Sequence, residues 1–353
     1  MTQPMLNVGG QSWTGWTRVS VQYGAKQAVR AFALTAVDSS AQLLASSQYQ
    51  WSFMPGAEVS ITEGGQLFVK GFINKMAPSF SANNHIVEVS GRSTSQDCVD
   101  STAEHRTGEF RKKNILQIAK ELDKQNVGFS SDLSDSDMPQ LEFFRVNPGE
   151  AVFNALQRIA MKQQLLLIGQ PDGSVKIDKG GNQVVNAPLI EGYNIVGASA
   201  SFGDEDKHSV YKVKGQRALG SDKSSIQIIG TAKDSSVKRN RPKHIHHGET
   251  DLDQQAADKR AQSHRDRQQG ESITATVRVK GWRDENGQPY KENSLIPVHS
   301  PMLKLNMSLL ISSVNCTMDE SGSFTSLSLV QPQAFGSNAN TGAGTDSAWQ
   351  TGF

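Results

Sequence analysis

Two long hairpin patterns lie at opposite ends of the chain, and they restrict its fold more than any other feature. The first runs from Leu67, Phe68 and Val69 to Pro78, breaks at a polar turn, and returns through residues 86–91. The second runs from Leu309, Leu310 and Ile311 to Met318, breaks at Glu320, Ser321 and Gly322, and returns through residues 324–330. Both are of similar length, and both close a β-rich region. Such self-similarity predicts two related β-units in one polypeptide. Residues 16–23 alternate, with Trp16, Arg18, Val19, Val21 and Tyr23. Residues 31–37 read as a buried strand, residues 58–61 as a short one, and Gly64-Gly65 as a hairpin turn. Short strands with turn signals about every ten residues predict a small barrel or sandwich.

The pattern changes near residue 105. Asn114 is placed to cap a helix carrying Ile115, Ile118, Ala119 and Leu122, an i, i+3, i+4, i+7 stripe. The run Asn147, Pro148, Gly149, Glu150 has the form of a second helix start, with Val152, Leu156, Ile159 and Ala160 behind it. Residues 165–168 then read as a buried strand, and a turn at residues 171–174 returns the chain into Val175, Lys176 and Ile177. The expected organisation is a β-unit over residues 1–103, an α+β module over 104–190, and a second β-unit over 191–335. A Gly-, Ser- and Asn-rich tail covers 336–353. The second unit includes strand candidates at 195–202, 209–213, 272–279, 308–316 and 324–330. It also holds a polar, basic loop and a helix at 250–267 whose apolar face is thin.

Charge and cysteine usage narrow the function classes. The 353 residues carry 36 basic against 35 acidic side chains. A protein built to grip nucleic acid usually has a basic excess, because phosphate contacts dominate its affinity. Sequence-specific nucleic-acid binding is therefore not expected. Cys98 and Cys316 offer neither metal spacing nor a disulfide framework. The first residues lack the basic and apolar regions of a signal peptide, and no apolar run reaches the length of a membrane span. Folding in a cytoplasm, with no membrane segment, is the expectation.

The most conspicuous cluster is Lys243, His244, Ile245, His246 and His247, preceded by Lys238, Arg239 and Arg241. His244 and His246 share one side of a strand and are weak metal candidates, with Glu249 or Asp251 as a further ligand. A solvated basic loop that meets an acidic neighbour is the favoured reading, with Lys238, Arg239, Arg241 and Lys243 as partner contacts. One such neighbour is the acidic stretch 131–137 of another copy. No aromatic lies between Tyr211 and Trp282, so the charge has no stacking platform for single strands. Trp282, before a turn at residues 284–287, is a further candidate partner contact. For hydrolysis the chain offers no G-x-S-x-G, no H-E-x-x-H and no Walker-type loop. Glu104, Glu109, Glu121 and Asp123 surround the first helix as a mixed-charge flank. No catalytic residue and no cofactor is assigned.

From Gly281 onward the chain reads Gly281-Trp282-Arg283, Asn286-Gly287-Gln288-Pro289-Tyr290, Asn293, Ile296-Pro297-Val298 and Pro301-Met302-Leu303. It closes with Leu327-Ser328-Leu329-Val330-Gln331-Pro332-Gln333-Ala334-Phe335. This order resembles the C-terminal barrel of Mu-like phage baseplate hub proteins, the protein P-like tail family. The stretch from Trp51 through Gly56-Ala57-Glu58-Val59 to Gly71-Phe72-Ile73 is similar to that family's first barrel. The resemblance implies a mainly β fold: two tail-tube-like β-barrels flanking a small α+β module. It implies a non-enzymatic, structural hub of a contractile phage tail, assembled as a homotrimer. Such a hub adapts a sixfold tail tube to a threefold central spike and leaves an axial channel for DNA ejection. The implied partners are the tube protein, the spike protein and other baseplate proteins. The implied location is the virion, after assembly in the host cytoplasm. Two alternatives stay open: a cell-wall-binding or cell-wall-degrading tail component acting through residues 104–190, and a secretion-system spike protein.

Overall fold

The computed structural model of the chain describes residues 3–38, 54–81, 84–181, 183–215, 228–246 and 253–336. Trp51, Ile226, His247, Glu249, the start of the helix expected at 250–252, Asp251, and tail residues 337–353 lie outside the described residues.

Seven strands make the first β-unit: β1 (Met5–Val8), β2 (Gln11–Trp13), β3 (Arg18–Gly24), β4 (Ala31–Asp38), β5 (Glu58–Glu63), β6 (Gln66–Ser81) and β7 (Asn84–Ser93). They lie in the order β3-β4-β7-β6-β5-β1-β2, with antiparallel neighbours throughout. The alternation in the sequence becomes an alternation of burial. Val19, Val21 and Tyr23 point into the core while Ser20 and Gln22 point away. Gly64 and Gly65 turn β5 into β6 with φ of 55° and 81°, the two left-handed positions that a type I′ hairpin turn requires.

The α+β module follows: α1 (Gln96–Asp100), β8 (Glu109–Phe110), α2 (Ile115–Leu122), β9 (Phe129–Ser130), β10 (Phe144–Arg145), α3 (Val152–Gln163), β11 (Leu166–Gly169) and β12 (Val175–Asp178). Asn114 caps α2 as expected. Its side chain accepts from the Gln117 amide at 2.9 Å, and the Gln117 side chain accepts from the Asn114 amide at 3.0 Å. Ile115, Ile118, Ala119 and Leu122 are fully buried against Val152, Leu156 and Ile159 of α3 and the β11–β12 sheet. The helix start expected at residues 147–150 is a turn instead. Gly149 sits at φ 78°, which a helix cannot contain, and α3 begins after Ala151. Glu150 serves as a brace, accepting from the Asn147 amide at 2.9 Å and from Arg158 Nε at 2.7 Å.

The remaining elements are β13 (Gln183–Val184), β14 (Leu189–Ile190), β15 (Ile195–Phe202), β16 (Val210–Gly215), β17 (Ile228–Lys233), β18 (Pro242–His246), α4 (Gln254–Glu271), β19 (Ile273–Lys280), β20 (Ser294–Ser300), β21 (Leu305–Asp319) and β22 (Gly322–Val330). A short 3-10 turn, Pro332–Phe335, ends the described chain. The second β-unit has the order β15-β19-β22-β21-β20, with β13 and β14 added in parallel to β20. Strands β16, β17 and β18 form a separate three-stranded sheet under α4, with a small core of Val213, Ile228, Ala232, Ala257 and Ala261. The stretch read as a basic loop thus contains a strand, β18, paired in parallel with β16. Its register was hidden because Ile245 is the only apolar residue on it.

The two β-units repeat each other in strand order and in pairing register. Strands β3, β4, β5, β6 and β7 correspond to β15, β19, β20, β21 and β22, with neighbours in the same sequence. Subtracting 238 from both residue numbers carries each β21–β22 pair onto a β6–β7 pair. Ile311 opposite Leu329 becomes Ile73 opposite Gly91, and Asp319 opposite Gly322 becomes Ser81 opposite Asn84. Even the bulge repeats: the ladder shifts between Ile73 and Lys75 and again between Ile311 and Ser313. The hairpin repeat read in the sequence is present, but its alignment slides by four residues. Leu309 occupies the position of Gly71, not of Leu67. The β16–β18 sheet and α4 are an insertion between β15 and β19, where the first unit has only the short connection from β3 to β4.

Candidate assembly interface

The module separates the two β-units in sequence but not in space. Past its bulge, β21 pairs antiparallel with β3, from Ser313 opposite Gly24 to Met318 opposite Val19. The described strands of both units therefore form one sheet, and one apolar core runs beneath it. Val314, Cys316, Val21 and Val19 are fully buried along this joint. Trp282 of the second unit lies edge-on to Phe68 of the first at 5.1 Å.

One arginine ties all three parts together. Arg30 Nε donates to the Gly169 carbonyl of the module at 2.8 Å, and Nη1 donates to the Phe68 carbonyl at 3.2 Å. Nη2 meets the Glu292 carboxylate at 2.6 Å, with both side chains about 5–6% exposed. The guanidinium lies 4.1 Å over the Tyr23 ring. Burial pushes the Tyr23 hydroxyl well above its usual range, so it remains a donor, bonded to the Tyr290 carbonyl at 2.7 Å. Burial likewise pushes the Cys98 and Cys316 thiols up to about 12, which leaves both unreactive at neutral pH.

The face of this sheet away from the core mixes hydroxyl side chains, among them Ser20, Thr35, Ser90, Thr276, Thr317 and Ser328, with the charged Arg18, Glu88, Arg92, Arg278 and Lys280. Besides end strands such as β2, two strand edges that correspond to the internal joint lack a partner strand among the described residues. Strand β5 and the residues before it cover β6 as far as Ile73, and among the described residues no strand pairs with that side of β6 from Asn74 to Phe80. Strand β15 pairs with β19 alone and is exposed along most of its length. Large apolar side chains stand on both edges: Phe80 is 83% exposed and Phe202 is 54% exposed. Isolated edges of this kind are rare unless something pairs with them.

Domain models of one phage family match the chain in order. Residues 4–93 match the N-terminal domain of the Mu phage baseplate assembly protein GpP-like family. Residues 95–179 match the second domain of the baseplate hub protein gp44-like family, and residues 253–338 match the fourth domain of Mu phage baseplate assembly protein GpP. The baseplate hub protein gp44 of Escherichia phage Mu is 26% identical over 341 residues, covering 94% of this chain and 88% of the Mu protein. The chain belongs to the Mu-like baseplate hub proteins. The fold agrees. The 43 kDa tail protein of prophage MuSo2 from Shewanella oneidensis superposes with a TM-score of 0.84 at 24% identity, over 95% of this chain and 99% of that one. The tail protein from Neisseria meningitidis MC58 superposes with a TM-score of 0.78 at 19% identity, over 94% and 98%.

Within this baseplate hub fold the residues singled out in the sequence fall at different places. Lys243, His244 and His246 lie on β18, where His244 and His246 are exposed opposite Lys212 and Lys214 of β16. Among the described residues, no group of three or more His, Cys, Asp or Glu side chains converges as a metal site would need. Arg239 pairs with Asp204, and Arg241 donates to the carbonyls of Asp204 and Glu205 at 3.0 and 2.6 Å. Both arginines therefore bind this chain's own acidic turn, while Lys238 is exposed. Trp282, expected as a partner contact, lies inside this chain. It is 2% exposed: its indole N–H donates to the Thr317 carbonyl of its own unit at 3.0 Å, and its ring packs on Phe68 of the first β-unit of the same chain. Around α2, Glu121 pairs with Lys113, and Asp123 accepts from the Val127 and Gly128 amides at 2.9 and 2.8 Å. These carboxylates are tied into local structure and do not face each other across a cleft. Sequence reasoning missed Arg30, Glu292 and the free edges.

Proposed function

We propose that three copies of this hub close into a ring between the tail tube and the central spike. The observation that supports this reading most strongly is the register-matched duplication. Each chain supplies two equivalent β-units, so a trimer presents six. A ring of six meets a sixfold tube on one side while its three chains meet a threefold spike on the other. In this reading the sheet face away from the core borders an axial channel, which DNA crosses on ejection. The role is mechanical and not enzymatic. The tail tube protein, the spike and other baseplate proteins bind the ring's two faces, after assembly in the host cytoplasm. The exposed Lys238, His244 and His246 and the half-buried Lys243, on β18 and the loop before it, are positioned as contacts for an acidic neighbour.

Solution mass tests the ring. Light scattering of the full chain should give about 115 kDa, three times 38.4 kDa. A species that stays at the monomer mass up to the highest soluble concentration would overturn the proposal.

A further inference from the structure

We propose that the joint between neighbouring copies is a β-ladder: β6 of one copy, past its bulge, pairs antiparallel with β15 of the next. The ladder rests on the ring reading above and assigns its contact.

The internal joint is the template. Strand β21 past its bulge is covered by β3, and these two strands correspond to β6 and β15. Among the described residues, a single chain thus has one joint made and both halves of an equivalent joint without a partner strand. The two open halves differ from each other, so they match head to tail between copies and not about a twofold axis.

The register follows from the repeat. The β3–β4 pairs become the β15–β19 pairs when β3 is advanced by 179 and β4 by 243, as Val19 opposite Leu34 becomes Ala198 opposite Val277. Advancing β3 by 179 and moving β21 back by 238 carries the internal joint onto the open edges. Val314 opposite Tyr23 becomes Met76 opposite Phe202. Cys316 opposite Val21 becomes Pro78 opposite Ala200, and Met318 opposite Val19 becomes Phe80 opposite Ala198.

Side-chain chemistry agrees with that register. The positions that face the core at the internal joint become Met76, Phe80 and Phe202, so the exposed aromatics of the two edges fall on one face of one ladder. The opposite face carries Asn315, Thr317, Ser20 and Gln22 at the internal joint and Ala77, Ser79, Ser199 and Ser201 at the open one. A register shift of one residue would put Phe80 on the hydroxyl face. Pro78 also fits. The amide of Ala25 bonds to Ser312 at 2.9 Å, so alternate β21 residues, Cys316 among them, turn their N–H toward β3. Pro78 occupies the equivalent position, which leaves the β6–β7 ladder intact and costs the new ladder one donor.

Cysteine pairing reads the register directly. Ser79 and Ser199 are opposite each other at a non-hydrogen-bonded pair, where Cβ atoms are about 4.5–5 Å apart and a disulfide closes with little movement. The double variant Ser79→Cys/Ser199→Cys, oxidised with copper phenanthroline, should give a reducible covalent trimer on a denaturing gel. The native cysteines are buried and add no background. Ser79→Cys/Ser201→Cys is offset along the strand and should link at least tenfold more slowly. A chain that has trimer mass but links no faster through Ser79/Ser199 than through Ser79/Ser201 would overturn the ladder and leave the ring standing. A chain with monomer mass and no crosslink overturns both. Efficient linking of Ser79→Cys alone would show a twofold β6–β6 contact and also overturn the proposal.

Discussion

The Arg30–Glu292 pair sets the sharpest test of how the three parts of this hub are held together. Replacing Arg30 with Met leaves the Glu292 carboxylate, 8% exposed, without its cation. Removing one member of a buried ion pair costs about 3–5 kcal/mol, because the remaining charge stays desolvated. An unfolding entropy of about 2.1 cal/mol/K per residue gives roughly 0.7 kcal/mol/K for 353 residues. Arg30→Met should therefore lower Tm by about 4–7 °C at neutral pH. Glu292→Gln is milder. The amide keeps the side-chain shape and one acceptor oxygen, and Arg30 retains the Gly169 and Phe68 carbonyls and the Tyr23 ring. The expected loss is about 1–3 kcal/mol, or about 1–4 °C. The double variant Arg30→Met/Glu292→Leu removes the stranded charge and should melt above Arg30→Met alone. Calorimetry on the three variants decides the matter. Arg30→Met melting within about 1 °C of the native protein, or below it by less than Glu292→Gln, refutes the assignment of Arg30 as the shared tie.

Two further outcomes follow from local geometry. A Cβ at Gly230 would lie 2.1 Å from the backbone of Ala257, where α4 packs on β17. Gly230→Val should open the inserted sheet, seen as faster hydrogen exchange in β16, β17 and α4 with β1–β7 unchanged; unchanged exchange in α4 would mean the contact is not tight. Burial on its own raises the Glu150 carboxyl, but the Arg158 guanidinium and the Asn147 amide outweigh it and hold it below its ordinary 4.5. A carboxyl depressed in the fold stabilises fully above its unfolded value, and that contribution is lost as pH falls through the lower folded value. Glu150→Gln should thus melt below the native protein at pH 7, with the gap closing as pH drops below 4.5; a gap unchanged down to about pH 3 would exclude the linkage.

Much of this architecture is written locally and is legible without coordinates. The α2 stripe and its Asn114 cap, the Gly64-Gly65 turn, and the alternation of β3 and β15 depend on residues close in sequence. Three features escaped for identifiable reasons. The start of α3 failed because a capping pattern says nothing about Gly149, whose left-handed backbone ends any helix at that point. The inserted sheet failed because β18 carries basic and histidine residues on a strand with one inward apolar side chain. The Arg30–Glu292 tie joins residues 262 positions apart, and no local pattern marks a pair at that distance. The repeat itself was visible as two hairpins, but apolar runs alone misplaced it by four residues. The bulge at Asn74 and Ser312, which fixes the register, has no side-chain signature.

The internal joint and the proposed one between copies also differ in a way that the proposed order of assembly explains. The β21–β3 joint forms as the chain folds and never waits exposed, so it carries large core residues: Cys316, Val21 and Val19 are fully buried. In the proposed ring the corresponding edges would stay free until another copy arrived, and a long apolar edge would then pair indiscriminately. Substitutions at the equivalent positions reduce that risk. Pro78 replaces Cys316 and withdraws a donor from the β6 edge. Lys75 replaces Ser313 at its start, and Ala200 and Ala198 replace Val21 and Val19 on β15. Met76, Phe80 and Phe202 keep their bulk, and burying the aromatics of both edges at once requires the head-to-tail register. A duplicated unit with one joint hardened and the other softened in this manner has the asymmetry expected of a chain that folds alone and closes a ring afterwards.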